Sequence, residues 1–435
     1  MKSLRGVGGR LSEVLLKLGE EFSFMKGNMG VLVASWMLMH FASSIPEAFY
    51  GQYVRELGGN AYDLGLIGMA SLLALASVQL PGGYLADKRG RRELIVLMTF
   101  GVASSYLFYA LAPEWRWVLV GAVIQNFCLI YQPALMAIEA DSLPPERRGV
   151  GYSSAMLLVM LASSPGPLLG GVLCARYGLL PAMRAAYLFV FLAYTMGALL
   201  RFRLKETLEL KATPSLKGLL TSYPRAIRES VTVWKDLPSS ALWLLVSMLA
   251  IDLSIAPLYP YWLLYALDVL HVSEVEWGSL SFMQRFAMML IALPLGKLID
   301  VAGRRRPLLV GVALMAPSTL FFLEGATFKP SRPILGVYHP LLLASFLLAS
   351  ASTPLINVSY SSLMADLVPK EKRGRVIGCA QFTGYICMAL GSLIEGSLYE
   401  RVSRSAPFYL SIIVGTIASL VIIFLKVRES GKRER

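Results

Sequence analysis

The chain has 435 residues, of which 56% are hydrophobic and only 16% charged, with a mean hydropathy of +0.59. That balance excludes an ordinary water-soluble domain and points to a polytopic membrane protein, so the formal net charge of +13 first raises the question of which side of the bilayer the bases occupy. Cys128, Cys174, Cys379 and Cys387 lie in apolar runs without C-x-x-C spacing, so no disulfide frame, metal centre, redox chemistry or cofactor is expected.

In chain order, residues 1–29 read as an amphipathic cytoplasmic segment. Within it, 11–22 is an expected interfacial helix, because Glu13, Lys17, Glu20 and Glu21 interrupt the apolar core that a signal peptide would need. A spanning helix takes about 20 mostly apolar residues. Such runs lie at 30–50, 64–85, 94–112, 117–138, 152–174 and 181–200, and again at 241–263, 277–299, 308–322, 341–364, 376–398 and 407–425. The expected fold is all-α: twelve transmembrane helices in two pseudo-symmetric six-helix bundles, 30–200 and 241–425. Between them, 201–240 carries bases, Pro214, Pro224 and the apolar stripe Leu216, Leu219, Leu220 and Tyr223, which suits a cytoplasmic linker resting on the membrane. Residues 426–435 form a basic cytoplasmic tail.

Assigning the loops alternately to the two sides, with the N-terminus inside, puts 32 of the 41 Lys and Arg on the inner face. Both termini are therefore expected in the cytoplasm, with the protein in the cell membrane. The basic balance serves the lipid bilayer, and nucleic acid is not an expected partner.

The segment Gly83-Tyr-Leu-Ala-Asp87-Lys-Arg-Gly90-Arg91-Arg92 recurs 213 residues later as Gly296-Lys-Leu-Ile-Asp300-Val-Ala-Gly303-Arg304-Arg305. A second motif, Asp141-Ser-Leu-Pro144-Pro-Glu146-Arg-Arg148-Gly149, recurs after 225 residues from Asp366 to Gly374, and the same shift pairs Gly166-Pro-Leu-Leu-Gly-Gly171 with Gly391-Ser-Leu-Ile-Glu-Gly396. Met37, Leu38, Ser43 and Pro46 of helix one match Met248, Leu249, Ser254 and Pro257 of helix seven at a shift of 211. Ordered matches at nearly constant offset describe a duplicated six-helix unit, and two such halves facing a shared site is a transporter plan.

In helical register Gly83 and Asp87 lie one turn apart, where the glycine permits a close helix approach and the carboxylate reaches the cytoplasmic edge. Gly90 suits the left-handed end of a helix, which leaves Arg91 and Arg92 among headgroups or beside acidic partners. The second motif suits helix capping and topology as well as gating.

Ionisable groups inside a membrane are costly and are functional candidates by default. His40 and Asp252 fall near mid-membrane depth, Glu47 higher on the outer side, and Arg285 in the outer half of helix eight. Asp252 and Arg285 can neutralise each other, bind substrate charge or exchange a proton, and His40 can carry protons or pack against backbone. Glu47, after Pro46, can also simply reach the outer interface. Gln132 and Asn357, equivalent at the shift of 225, suit a polar substrate or a helix-to-helix hydrogen bond. Trp36, Tyr131, Tyr259, Trp262 and Tyr360 are candidate aromatic walls, or lipid-facing residues.

The G-x-L-a-D-x-x-G-R-R pattern after helix two, its echo after helix eight and the duplication together resemble the major facilitator superfamily of secondary transporters. The resemblance implies alternating access by a monomer, a cavity lined by helices one, four, seven and ten, and an inner gate at Gly83, Asp87, Gly90, Arg91 and Arg92 and at Gly296, Asp300, Gly303, Arg304 and Arg305. It implies that Asp87 braces the start of helix eleven, with Asp300 facing helix five. Gly166, Pro167, Gly170 and Gly171 resemble the core of a motif of proton-coupled exporters. Ala162 and Ser153 stand where that motif has further glycines, and the basic residue expected three before Gln125 is Ala122.

The expected function is secondary transport of a small organic solute, with proton-coupled export of drugs or metabolites set against uniport or proton symport of a polar metabolite. A non-transporting receptor is the alternative of another class. His40, His271 and His339 lie on different segments without ligand spacing, so no metal site and no enzyme activity are expected.

Overall fold

A computed structural model describes residues 27–143, 148–208, 234, 237–255, 258–325, 327, 339–368 and 370–424. The N-terminal helix expected at 11–22, the linker stripe and the basic tail lie outside the described residues. So do the side chains of Asp87 and Asp300 and the surroundings of Gly296, and with them the bracing contacts expected of the two acids.

The chain is helical throughout its described length. The first half comprises α1 (Asn28–Glu47, continued by Tyr50–Glu56), α2 (Ala61–Arg89), α3 (Arg91–Ala110), α4 (Trp115–Cys128 and Gln132–Asp141), α5 (Arg148–Ser163 and Gly166–Tyr177) and α6 (Leu179–Arg201). The second comprises α7 (Ser239–Ser254 and Tyr259–Asp268), α8 (Glu274–Ala302), α9 (Arg305–Leu323), α10 (Pro340–Leu367), α11 (Lys370–Arg401) and α12 (Ala406–Phe424). Among the described residues, eleven spans are long and apolar enough to cross a membrane, and α8, 29 residues long, is the twelfth.

Most helices run a few residues past the apolar runs, because their ends are set by caps rather than by hydropathy. Asn60 and Asp63 form a capping box at the start of α2, and Ser273 accepts from the Glu276 amide at the start of α8. Gly90 and Gly303 take positive φ, 101° and 77°, and end α2 and α8 at equivalent places, as their positions in the repeated motif imply. Breaks in α1, α4, α5 and α7 fall at or beside Pro46, Pro133, Pro165 and Pro260, where a ring removes a donor from the helical ladder.

Packing repeats the duplication. In the first half α6 lies on α1 and α3, and α4 on α2 and α3; in the second α12 lies on α7 and α9, and α10 on α8 and α9. Two seams join the halves, α2 along α11 and α5 along α8. Small residues set the close approach. A methyl added at Gly65 or Gly68 would collide with Ser392, and one at Gly171 or Gly278 would come within 2.5 Å of the Glu274 or Pro167 carbonyl oxygen.

The described polar contacts between halves concentrate at the end that carries the α1–α2 and α7–α8 connections. There Arg55 pairs with Asp268 at 2.6 Å, the Trp277 indole donates to the Ala48 carbonyl at 3.0 Å, and the Ala61 amide donates to Glu400 at 3.2 Å. This end is shut.

Candidate functional site

A cavity of about 890 Å³ lies between the halves. The first half lines it with Trp36, His40 and Glu47 of α1, Met136 and Glu139 of α4, and Tyr152, Met156 and Met160 of α5. The second half contributes Tyr259 of α7, Gln284, Arg285 and Met288 of α8, and Thr353 of α10. Its polar centre is an ion pair across the halves, Arg285 Nη2 to Glu47 Oε2 at 3.0 Å, with side chains 26% and 49% exposed.

Two of the ionisable residues singled out from sequence thus meet. Of the alternatives open to Arg285, neutralising Asp252 is not the one taken, because Glu47 at the end of the first segment of α1 reaches it instead. His40 lies in the same cavity, two turns before Glu47 on α1.

Two side pockets open from this cavity. One, about 500 Å³, enters the first half past His40 and Glu47 and ends in a tyrosine cluster where Gln125 accepts from the Tyr109 hydroxyl at 2.9 Å and donates to that of Tyr106 at 2.8 Å. The other, about 190 Å³, enters the second half past Gln284 and Thr353 and is lined by Trp262, Phe346 and the hydroxyl residues Ser318, Thr319, Ser352 and Ser411. Those four hydroxyls donate to helix carbonyls, so their remaining capacity is as acceptors. Tyr259 lines all three spaces.

Asp252 and Asn357 occupy a further pocket of about 330 Å³ between α7, α10 and α11, with Tyr360, Gln381 and Tyr385. A methyl at Gly384 would come within 2.9 Å of Asp252 Oδ2, so the glycine makes room for the carboxylate. The α11 residues of this pocket, Ile377, Gln381, Tyr385 and Met388, are the repeat equivalents of Tyr152, Met156, Met160 and Ser163 at the shift of 225. Each half therefore uses the same face of α5 or α11, with Glu139 of α4 beside it in the first half and Asp252 of α7 beside it in the second, two carboxylates that are not repeat equivalents. Gln132, the repeat equivalent of Asn357, makes the helix-to-helix hydrogen bond that was one of its two expected roles, accepting from Gln79 of α2 at 2.9 Å.

The repeated loop motifs bind each other within each half. Arg91 pairs with Asp141, and Arg304 with Asp366, joining the G-R-R of one motif to the leading Asp of the other. Arg92 donates to the Phe202 carbonyl at 2.6 Å, and Arg305 donates to the Ile422 carbonyl at 3.3 Å. These arginines thus tie their own half together, and Arg91 lies beside an acidic partner, one of its two expected settings. Nor is Gly83 the point of close approach: among the described residues a methyl there meets nothing, whereas one at Gly82 would collide with the Ile130 carbonyl of α4. In the helix-five motif, methyls at Gly166 and Gly170 would collide with Ser44 and Ile45 of α1, and Gly171 faces α8, so the motif seats α5 against both halves.

Three residues escaped the sequence reading. Glu139 stands one residue past an apolar run. Arg201, 0% exposed, closes α6 and donates to Ser35 at 3.2 Å and Thr99 at 2.7 Å, with its guanidinium over the Tyr131 ring. Glu395, also 0% exposed, sits inside α11. A lone carboxylate in an apolar run was the available signal for Glu395; nothing local marked Arg201, which borders basic residues.

The Major Facilitator Superfamily model matches residues 29–280 and 242–435, two overlapping matches that together span both halves. Among curated proteins, the chain is 25% identical over 418 residues to the multi-drug resistance efflux pump PmrA homolog of Lactococcus lactis, covering 92% of this chain and 95% of that protein. It is 24% identical over 415 residues to the multidrug resistance protein MdtG of Enterobacter lignolyticus, covering 93% of each. Among solved structures, the human organic anion transporter MFSD10 superposes with a TM-score of 0.65 at 19% identity over 91% of this chain and 98% of that one. A point mutant of the nucleoside transporter NupG superposes with a TM-score of 0.71 at 12% identity, over 91% of this chain and 100% of that one. The twelve-helix fold, its internal duplication and the two family matches agree: the chain belongs to the Major Facilitator Superfamily and is a secondary transporter, not an enzyme.

Proposed function

We propose that the protein exports amphipathic organic solutes from the cell in exchange for protons, with the cavity between the halves as its transport site. The observation that carries this reading is the Glu47–Arg285 pair, set in a cavity walled by both halves and rich in methionine. Methionine is flexible and polarizable and adapts to varied apolar shapes, which favours breadth of substrate over a single fit. Export is supported by the similarity to proteins named as multidrug efflux pumps.

With both termini cytoplasmic, as the distribution of bases favours, the shut α1–α2 end faces outward and the cavity faces the cytoplasm. Glu139 lines the same cavity as the cross-half pair, and Asp252 lies in the separate pocket among α7, α10 and α11. Asp252 has no ion-pair partner among the described residues and lies in a pocket open enough to take a proton or the basic end of a solute. We assign it the coupling role, Glu47 and Arg285 the link between solute and conformation, and the loop motifs the rigidity of each half. The unit of transport is one chain in the cell membrane.

The test is transport in proteoliposomes by the purified protein, with an imposed pH gradient and a panel of lipophilic amines, carboxylates and neutral aromatic solutes read by mass spectrometry. Gradient-driven movement of a subset, with protons moving the other way, is expected. Movement of those solutes independent of the gradient makes the protein a uniporter, and proton movement in the same direction makes it a symporter.

A further inference from the structure

We propose that Glu395 is a proton-binding site whose occupancy holds the α1–α2 end shut. Its side chain is fully buried, and among the described residues neither carboxylate oxygen has a hydrogen-bond partner. Glu395 lies on α11 between Ser392, whose carbonyl accepts from the Tyr261 hydroxyl at 3.4 Å and lies on Gly65, and Gly396, which also touches Gly65. It is therefore part of the contact among α2, α7 and α11 that closes this end. One turn on, the Tyr399 hydroxyl is also buried and unpartnered, and its ring lies 5.5 Å from that of Tyr261. In the duplication Glu395 stands where the first half has Gly170, which packs on Ile45 and Phe49 of α1 within its own half. The second half places a carboxyl at that position, beside Ser392 and Gly396 of the α2–α11 seam.

Among the described residues, the elements packed on α11 offer it no counter-charge. The Tyr261 phenol of α7 interacts with it, and Tyr399 follows one turn on; Tyr62 and Asp63 lie near the start of α2, and Tyr409 on α12. The described cations beside α11 at this end are engaged elsewhere: Arg55 with Asp268, Arg401 over the Tyr62 ring, and Arg404 on the Asp268 carbonyl. Glu400 accepts from the Ala61 amide. An ionised carboxylate without partner or water is far harder to bury than the neutral acid, so the closed seam takes Glu395 protonated. Opening the seam admits water and lets the proton leave. Low pH then favours closure and high pH favours opening, whatever the solute. The inference rests on the alternating-access reading only through the opening of this seam, and its test needs no substrate, so it fails separately from the assignment of function.

The experiment uses the full-length protein in liposomes, with the four native cysteines replaced by alanine and spin labels at Glu56→Cys and Val402→Cys. Pulsed EPR distances are recorded from about pH 5.5 to about pH 8.5. The closed-to-open ratio of the parent should fall with rising pH by up to about tenfold per unit, the limit for one linked proton. Glu395→Gln should stay closed throughout, Glu395→Asp should retain the dependence, and His271→Gln and His339→Gln should keep the parental slope. If Glu395→Gln does not insert, Glu395→Met, which fills similar volume, carries the same expectation. A parent with no pH dependence overturns the proposal. So does a parental slope in Glu395→Gln, or a slope lost with either histidine instead.

Discussion

Glu47 of α1 and Arg285 of α8 form an ion pair across the two halves, 3.0 Å long, at the blind end of the cavity. Because it joins parts that must separate when this end opens, the pair belongs to one conformation, and a solute charge that replaces either partner changes the balance between states. Both side chains are partly solvated, so the pair contributes no more than about 1 kcal/mol.

Glu47→Gln or Arg285→Gln should therefore shift the inward-to-outward ratio by at most about fivefold and leave folding intact. The double variant Glu47→Arg with Arg285→Glu should restore it. Spin-label distances across the α1–α2 end measure the ratio. A swap no better than the single variants would show that the pair is not the relevant contact.

Asp252→Asn should separate transport from the proton gradient. Downhill exchange of solute persists, while accumulation against a gradient falls by at least about tenfold, since one coupled proton acts through one titrating site. Counterflow and pH-driven uptake in the same liposomes distinguish the two. Equal loss of both would place Asp252 in solute binding rather than coupling.

Gly278→Val should wedge the α5–α8 seam, because a side chain there meets the Pro167 carbonyl within 2.5 Å and backbone does not yield easily. Gly65→Val should do the same on the α2–α11 seam. Each should lower transport at least about tenfold and open the α1–α2 end to impermeant thiol reagents, since steric overlap of this kind costs about 1–3 kcal/mol or more. Gly83→Ala, where nothing described lies within 4 Å, is the matched control and should behave as wild type at the seams.

Tyr259→Ala should merge the cavity with both side pockets, because its ring lines all three. Larger solutes should gain and small ones lose, with KM moving more than kcat where only uniform binding changes. Competition profiles across the solute panel read this out, and an unchanged profile would remove Tyr259 from selectivity.

Much of this arrangement was legible from residues alone. The twelve apolar runs and the repeated motifs specified helix number and duplication because membrane helices announce themselves by hydropathy and glycine punctuation. Partners were not legible. Glu47 reaches Arg285 across the two halves, and Arg91 at the start of α3 finds Asp141, fifty residues away at the end of α4. Such pairings depend on helix rotation and tilt, which packing sets and apolar periodicity leaves open. Gly83 and Gly82 differ by one residue, a third of a helical turn, and only the packed structure shows which one faces α4. Asp252 and Asn357 line one pocket, and what pointed to them was a polar group deep in an apolar run, on helices that the duplication makes equivalent to α1 and α4.

The central claim is that solute crosses through the space between halves, which opens at one end only while the other is shut. Arg55→Cys and Asp268→Cys, at the site of the 2.6 Å pair that bridges the halves, can be joined by a short bismaleimide whose spacer contains a disulfide. Transport of every solute in the panel should stop in the crosslinked protein and return when the spacer is reduced. Undiminished transport by fully crosslinked protein would contradict the account.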